Sequence, residues 1–159
     1  MHEEFKKLTD GLDEKLRQLL RMVPLTLEQP IRNSPKGGVY LFTENAVHLY
    51  VGRTKRLFSN RLRGHINTAK DCPFAFRIAR KETGFTKSAY SGDGTRRQLL
   101  SNPDFVSAYE AAKNRIKKME VRWIQESDPT RQALLEIYVS VILNTPFNDF
   151  DPHQIFPTP

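Results

Sequence analysis

The sequence predicts an α+β fold, with a small three-stranded sheet, antiparallel or mixed, that is flanked by helices. Two segments rich in β-branched and aromatic residues, Val39 to Phe42 and Val47 to Val51, lie on either side of a short turn and predict a hairpin. A third such segment, Met119 to Gln125, predicts the remaining strand. Apolar residues at helical spacing occur before, between and after these segments. A chain of 159 residues suits one globular domain.

The first predicted helix spans residues 3 to 22. Its apolar residues recur at helical spacing, and Gly11 is a weak point within it. We expect this helix to dock on the core, and dimerisation through the same apolar stripe is the alternative. The following residues, 23 to 37, are rich in proline and predict a connector. The predicted organisation is residues 1–37 as N-terminal helix and connector, residues 38–148 as the main domain, and residues 149–159 as a C-terminal tail.

The hairpin is expected to present two tyrosines side by side. With the turn centred on Asn45, Tyr40 would lie opposite Tyr50, so that both phenols would project from one face. Gly38 and Gly52 stand at the outer ends of the hairpin. Glycine at these positions would let a ligand or another backbone come close.

A helical pattern after the hairpin places Arg61 and His65 one turn apart. On this helix Leu62, Ile66 and Ala69 have the spacing of residues that face a core. Arg61 and His65 would then lie on the adjacent stripe. We therefore expect a guanidinium and an imidazole together at the protein surface.

A long insertion, about residues 70–118, separates this helix from the third strand. Its first part, Cys72 to Thr83, predicts a short helix, and its last part predicts a longer helix from Asn102-Pro103 to Lys118. Residues 88–97 between them are glycine-rich, polar and basic, which is typical of a loop.

The last predicted helix contains an isolated carboxylate. Asp128-Pro129 is typical of a helix start, and residues Ala133 to Leu143 are apolar on nearly every face, with Glu136 as the only charge. A helix that is apolar all round is usually buried, and a buried carboxylate is costly unless a cation or strong donors meet it. A divalent metal ion or Arg61 would serve, and an ion-paired structural glutamate is the alternative.

Positive charge is concentrated in one part of the chain. The formal net charge is +7, and residues 53 to 97 hold twelve lysines and arginines against three acidic residues. Such a distribution suits a polyanionic partner, and an ordinary solvated basic surface is the alternative. The candidates for contacts with nucleic acid are Arg53, Lys55, Arg56, Arg63, Lys87, Arg96 and Arg97.

The hairpin contains two similar triplets, Gly38-Val39-Tyr40 and Tyr50-Val51-Gly52. Taken with the polar residues that follow, this pattern resembles the GIY-YIG nuclease family. Valine stands in place of the middle isoleucine in both halves. The resemblance extends from Gly38 to Asn148. Arg61 lies one residue further from Gly52 than the family spacing implies, which leaves Arg63 as an alternative, and the spacing to His65 favours Arg61. The matching positions are Tyr40, Tyr50, Arg61, His65, Glu136 and Asn148.

This resemblance implies a GIY-YIG-like sheet flanked by helices, hydrolysis of DNA phosphodiester bonds, and one divalent metal ion, Mg²⁺ or Mn²⁺. Tyr40 and Tyr50 would hold or activate the attacking water. Arg61 would neutralise the scissile phosphate, and Glu136 would bind the metal ion. Asn148 would orient the assembly.

The general base is Tyr40 or His65 in this interpretation. Free tyrosine has a pKa of about 10 and is a poor base at neutral pH, whereas free histidine, at about 6.5, is better matched. The phenol of Tyr40 becomes plausible if neighbouring cations lower its pKa, and we expect His65 to assist it. A histidine at this position resembles the restriction and homing branches of the family more than the excision-repair branch.

The function that follows is a metal-dependent DNA endonuclease acting on double-stranded DNA, and the size of the chain suits the restriction type. The alternatives are a DNA-binding or accessory module without turnover, and a structure-specific repair nuclease. The loop in the insertion would then supply nucleic-acid contacts, and a structural cover over the sheet is the alternative for the insertion. Cutting both strands would need a homodimer or sequential nicking.

Composition indicates the expected environment. Cys72 is the one cysteine, and the four histidines are scattered, so neither a disulfide framework nor a zinc site can be assembled from them. No apolar run is long enough to span a bilayer, and the first residues lack the layout of a signal peptide. We expect a soluble protein in the reducing cytoplasm, without a membrane partner.

Overall fold

The three strands form one antiparallel sheet in the order β2-β1-β3, with helices on both faces. The computed structural model describes residues 1–67, 72–85 and 94–148. The α+β class with a small three-stranded sheet is confirmed, and the sheet is antiparallel rather than mixed. The elements are α1 (Glu3–Thr9), α2 (Leu12–Arg21), β1 (Lys36–Glu44), β2 (Val47–Leu57), α3 (Phe58–Asn67), α4 (Pro73–Thr83), α5 (Arg96–Ser101), α6 (Pro103–Lys118), β3 (Glu120–Gln125) and α7 (Pro129–Leu143).

The hairpin has a different register from the predicted one. Its turn is the pair Asn45-Ala46, both with positive φ (50° and 64°), as a two-residue hairpin turn with this twist requires. The turn therefore centres between two residues, and a bulge after Phe42 adds one more residue to β2. As a result Tyr40 pairs with Gly52, and Tyr50 pairs with Phe42. The predicted Tyr40–Tyr50 pair is wrong, but both phenols still share a face because the combined shift is two residues.

Each face of the sheet has its own hydrophobic core. Tyr40, Phe42 and Tyr50 lie in one buried cluster with side chains from α3, α4 and α6. Residues of the opposite face lie in a second cluster with α2 and α7; they are Val39, Leu41 and Val51. The alternation of the two sets along β1 is the two-residue period of a strand buried on both sides. On β3, Trp123 stacks on Phe58, with ring centroids 5.5 Å apart.

The predicted single N-terminal helix is two helices. The chain breaks at Gly11, which has a left-handed conformation (φ 80°) that few other residues adopt. The Arg131 guanidinium stabilises the break by donating to the backbone carbonyls of Lys7, Leu8 and Asp10. The expected docking applies to α2, whose buried residues are Leu12, Leu16 and Leu19; α1 has none.

Both predicted helices of the insertion are present, as α4 and α6. The Asn102 side chain caps α6 by accepting hydrogen bonds from the backbone N–H groups of Asp104 and Phe105. The prediction of a loop over residues 88–97 is wrong for its last two residues, because α5 begins at Arg96. The first six residues of the predicted loop, 88–93, lie outside the described residues. Since α4 and α6 pack on the sheet through buried aromatic residues, this part of the insertion is a structural cover.

Helix α7 begins as predicted, with the Asp128 side chain accepting from the backbone N–H of Arg131 at 2.8 Å. The expectation that the helix is buried on every side is wrong. Ile137, Val141 and Ile142 are 41%, 57% and 54% exposed, because a three-stranded sheet is covered by one side of the helix. None of the helices in the described ranges combines the length and the apolar character that crossing a bilayer requires.

Candidate functional site

The centre of the site is the hydroxyl group of Tyr40. The Nε of Arg61 donates to it at 3.0 Å, and the Nε2 of His65 lies 2.9 Å from it. Strand β1 directs this side chain across Gly52 of the edge strand: a Cβ atom on residue 52 would lie 2.4 Å from the Cζ of Tyr40. Glycine is therefore needed at position 52 for the phenol to reach the sheet edge.

His65 does not lie at the surface as predicted. It is fully buried, and its ring packs against Tyr40, Phe42 and Tyr50 at centroid distances of 5.4, 5.3 and 5.9 Å. Burial, together with the charge of Arg61, lowers the pKa of His65 to about 3. Among the described residues no group forms a hydrogen bond with its buried Nδ1. The imidazole is therefore neutral at physiological pH.

Burial shifts the pKa of the Tyr40 phenol upwards, opposite to the shift of His65. The pKa of Tyr40 is raised above its ordinary value, first by burial and then by the neighbouring Tyr50, while the Arg61 charge and hydrogen bond lower it. Glu136 also raises this pKa, by its charge. Tyr40 is therefore protonated at neutral pH, with Arg61 as its strongest stabiliser in the ionised form.

Glu136 forms an ion pair with Arg53. The Nε of Arg53 lies 2.8 Å from the Oε2 of Glu136, and the side chains are 44% and 18% exposed. The sequence suggested Arg61 or a metal ion as the partner; in the structure Arg61 acts on Glu136 by its charge, as Arg77 does. Burial raises the pKa of Glu136, and the charge and hydrogen bond of Arg53 are the first causes that lower it.

Asn148 forms hydrogen bonds with the outer edge of β2, the edge that does not face β1. Its Oδ1 accepts from the Val51 N–H at 3.0 Å, and its Nδ2 donates to the Val51 carbonyl at 2.7 Å. Thr145 donates to the same Oδ1 at 2.7 Å and is itself hydrogen-bonded to Ser140 on α7. The amide thus fixes the segment after α7 against the strand that carries Gly52.

The insertion also reaches the site. Tyr50 stacks on Phe74 of α4, with centroids 4.6 Å apart and an interplanar angle of 9°. The Arg77 guanidinium lies 5.8 Å from the Tyr50 ring, and its Nη1 donates to the Phe147 carbonyl at 2.7 Å. Sequence reasoning counted Arg77 only as one positive charge among twelve. The signal that could have found it is its position one turn after Phe74 on an amphipathic helix.

The basic residues predicted to contact nucleic acid lie in several places. Lys55 and Arg56 are exposed on the last residues of β2. Arg63 donates to Asn60 and lines a cleft on the side of α3 that faces away from Tyr40. Of the two arginines left open by the spacing, the structure therefore brings Arg61 to the site. Arg96 and Arg97 are exposed on the first turn of α5, where the Arg96 guanidinium lies 4.4 Å from the Phe76 ring. Lys87 lies outside the described residues.

The donor set for a metal ion is small. The described part of the chain contains no group of three or more histidine, cysteine, aspartate or glutamate side chains that could hold a metal ion. Glu136 supplies one carboxylate, and Arg53 is bonded to its Oε2. The donors would fit a cation that keeps several waters and takes further oxygen ligands from a phosphate, which is the usual behaviour of Mg²⁺.

Comparison with protein-family models, with curated proteins and with solved structures gives no match for this chain. Its function is therefore inferred from the site itself. Arg61 and His65 contact the Tyr40 hydroxyl, Arg77 lies over the Tyr50 ring, and Arg53 pairs with Glu136, whose carboxylate also feels the charges of Arg61 and Arg77.

Proposed function

We propose that this protein is a GIY-YIG-type endonuclease that hydrolyses phosphodiester bonds of DNA with the help of Mg²⁺ or Mn²⁺. The observation that carries the proposal is the hydroxyl of Tyr40, held between Arg61 and His65 at the edge of β2. Glu136 acts on this phenol by its charge, so the carboxylate and the ring belong to one electrostatic cluster. These are the residues that the family resemblance assigns to the reaction.

The charges suit the chemistry. Hydrolysis of a phosphodiester builds negative charge on its nonbridging and leaving oxygens, and fixed cationic donors stabilise that charge. Arg61 offers a guanidinium that Tyr40 holds in place. Arg53, Arg61 and Arg77 each act on the carboxylate of Glu136 by their charge, and guanidinium groups suit recognition of a phosphate.

Glu136 is the residue that would hold the divalent ion. When bound, such an ion supplies Lewis-acid stabilisation of the developing charge and lowers the pKa of a bound water. Arg53 would have to share or release the carboxylate, and its 44% exposed side chain has room to move to a phosphate. The role of Asn148 is to hold the edge of β2 in place through Val51.

Burial limits how Tyr40 and His65 can act as the general base. His65, with its pKa near 3, does not hold a proton at neutral pH, and the raised pKa of Tyr40 opposes loss of its proton. Proton transfer from Tyr40 to His65 alone is therefore strongly uphill. Tyr40 serves as the base only where added positive charge near its oxygen lowers its pKa, with His65 orienting the hydroxyl through their 2.9 Å contact.

The test is incubation with supercoiled plasmid, with and without Mg²⁺ or Mn²⁺. We expect metal-dependent nicking by the wild type and a loss of roughly 100-fold or more in Glu136→Gln and Tyr40→Phe, the range found when a charge-stabilising group is removed. Glu14→Gln is the matched control, because Glu14 is a half-exposed carboxylate on α2 that pairs with Arg17. Nicking that survives in Glu136→Gln would remove the proposal.

A DNA-binding module without turnover is the second candidate. The 2.8 Å contact between Arg53 and Glu136 favours it, because a carboxylate already paired with a guanidinium is a weaker ligand for a metal ion. If the protein is such a module, it should slow the migration of the plasmid in a gel and leave the plasmid unnicked with either metal ion. Wild-type protein that nicks only when the metal is present excludes it.

A further inference from the structure

The segment after α7 runs along the outer edge of β2 and hydrogen-bonds to it as a strand would. The Phe147 N–H donates to the Leu49 carbonyl at 3.1 Å. The Asn148 side chain bonds both the N–H and the carbonyl of Val51, at 3.0 and 2.7 Å. In an antiparallel ladder a neighbouring residue would exchange the same two bonds with Val51. The Asn148 amide therefore takes the place of a strand residue, and the edge is held on both sides of Tyr50.

The orientation of the Asn148 amide follows from its partners. The Val51 N–H and the Thr145 hydroxyl both donate to Oδ1, at 3.0 and 2.7 Å, which occupies both lone pairs of that oxygen. If the amide were turned over, its NH₂ group would meet the Val51 N–H, and two donors would face each other. Thr145 therefore supports the one orientation in which Asn148 binds both backbone groups of Val51.

The Thr145 hydroxyl is held in turn by Ser140. A hydroxyl has one hydrogen to donate, and Thr145 donates its own to Asn148. In the 2.8 Å contact between the two hydroxyls the donor is therefore Ser140. Both side chains are buried, and a hydrogen bond is stronger in such surroundings than in water. Ser140, Thr145 and Asn148 thus form a directed hydrogen-bond relay that ends on Val51.

The hydrogen-bond relay joins the two halves of the site. Ser140 lies one helical turn after Glu136 on α7, and Val51 lies two residues before Arg53 on β2. Helix α7 is therefore tied to β2 at two neighbouring points, by the ion pair and by the relay. When Arg53 releases the carboxylate, as the proposed function requires, the relay still joins α7 to β2, because it contains no charged group.

We propose that Ser140 and Thr145 are positioning residues of the site. Their hydroxyls hold the Asn148 amide on Val51 and so fix the outer edge of β2 relative to the helix that carries Glu136. The effect on hydrolysis rests on the proposed function, whereas the hold on Val51 does not. The competing role for the two hydroxyls is a contribution to folding stability alone.

Hydrogen exchange of the Val51 amide, followed by NMR, measures the hold on the edge. Thr145→Val removes the hydroxyl and keeps the shape of the side chain, and Thr145→Ser keeps the hydroxyl. The matched control is Thr43→Val, because Thr43 is a buried threonine whose hydroxyl contacts His48 at 2.9 Å near the hairpin turn. After correction for the unfolding free energy measured in urea, we expect Val51 to exchange roughly 5-fold faster in Thr145→Val, the effect of one net hydrogen bond. Thr145→Ser and Thr43→Val should keep the wild-type rate.

Plasmid nicking at saturating Mg²⁺ tests the consequence for the site. Thr145→Val should lower kcat roughly 10-fold, since a displacement of about 1 Å at a site costs about 100-fold and the shift here is smaller. Its affinity for a duplex in EDTA should not change, because the hydroxyl is buried and does not contact the ligand. Thr145→Ser should restore the rate, and Thr43→Val should nick as the wild type does.

Either of two results overturns the inference: corrected Val51 exchange that is the same in folded Thr145→Val as in Thr43→Val, or nicking by Thr145→Val at the wild-type rate. If Thr145→Val does not fold, Ser140→Ala carries the test, and wild-type exchange or nicking there is the contrary result. A wild type that does not nick plasmid removes the proposed function and, with it, the role in hydrolysis. Exchange at Val51 then still decides whether the relay holds the edge.

Discussion

Arg53 Nε and Glu136 Oε2 are 2.8 Å apart and join the edge strand β2 to helix α7. Arg53 pairs with Val39 on β1, so its side chain lies on the sheet face that α7 covers, while Tyr40 lies on the other face. The two halves of the site therefore approach from opposite faces of the sheet and meet at the outer edge of β2. This arrangement makes the ion pair a structural link as well as a part of the site.

The first prediction concerns the strength of this link. The pair is partly exposed, so a double-mutant cycle with Arg53→Met and Glu136→Gln should give a coupling energy of about 1 kcal/mol at pH 7. The coupling should decrease as the carboxylate becomes protonated in acid. Urea unfolding of the four proteins at pH 7 and pH 4 measures it. Additive effects at pH 7 would show that the contact contributes nothing to folding.

The pKa of Glu136 gives a second prediction. Because burial raises this pKa in the folded state, the ionised carboxylate opposes folding once the pH exceeds the unfolded value, about 4.5. The contribution of the group to stability is present below that value and is lost as the pH rises through the folded pKa. Glu136→Gln should therefore gain stability relative to the wild type between pH 4 and pH 8. Urea midpoints across this range test it, and a difference that is independent of pH contradicts it.

His65 provides a third prediction, with the opposite sign. Its pKa is lowered to about 3 in the folded state, from 6.5, so protons bind the unfolded chain more strongly between these values. The stability that the neutral imidazole provides is complete above pH 6.5 and should fall by about 1.4 kcal/mol for each pH unit below it.

The control for this prediction is His65→Gln, which cannot take up the proton. Carboxylates elsewhere titrate in both proteins, so the useful quantity is the difference in unfolding free energy between wild type and variant. That difference should change steeply from pH 6.5 to pH 5. Parallel curves over this interval would mean that His65 is not buried as a neutral group.

Much of the fold could be predicted from the sequence, because its signals are local. The turn at Asn45, the cap at Asn102 and the Asp128-Pro129 start each act within a few residues. The hairpin register was wrong for two reasons: the turn has two central residues, Asn45 and Ala46, rather than one, and the bulge after Phe42 has no reliable local signal. Burial was wrong for His65 and for part of α7, since it depends on which distant elements cover a helix.

The site residues were harder to predict than the elements that carry them. Spacing along α3 brought Arg61 and His65 together, and the structure joins both to Tyr40. The partner of Glu136 could not be predicted in this way, because the Arg53 contact spans 83 residues. Arg77 was missed for the same reason: its contact with Phe147 spans 70 residues.

The last prediction tests the crossing of Tyr40 over the edge strand. In Gly52→Ala the new methyl group would meet the Cζ and hydroxyl oxygen of Tyr40 at 2.4 Å, so either the phenol or β2 must move. Overpacking of this kind costs about 1–3 kcal/mol. Gly64→Ala is the control, since a Cβ at that position on α3 meets nothing within 4 Å and should stabilise the helix by about 0.5–1 kcal/mol. Thermal unfolding of both variants measures the effects. The double variant Gly52→Ala/Tyr40→Ala should lose less stability than the sum of its single changes, because the ring that the methyl group meets is gone; additive losses would place the strain elsewhere in β2.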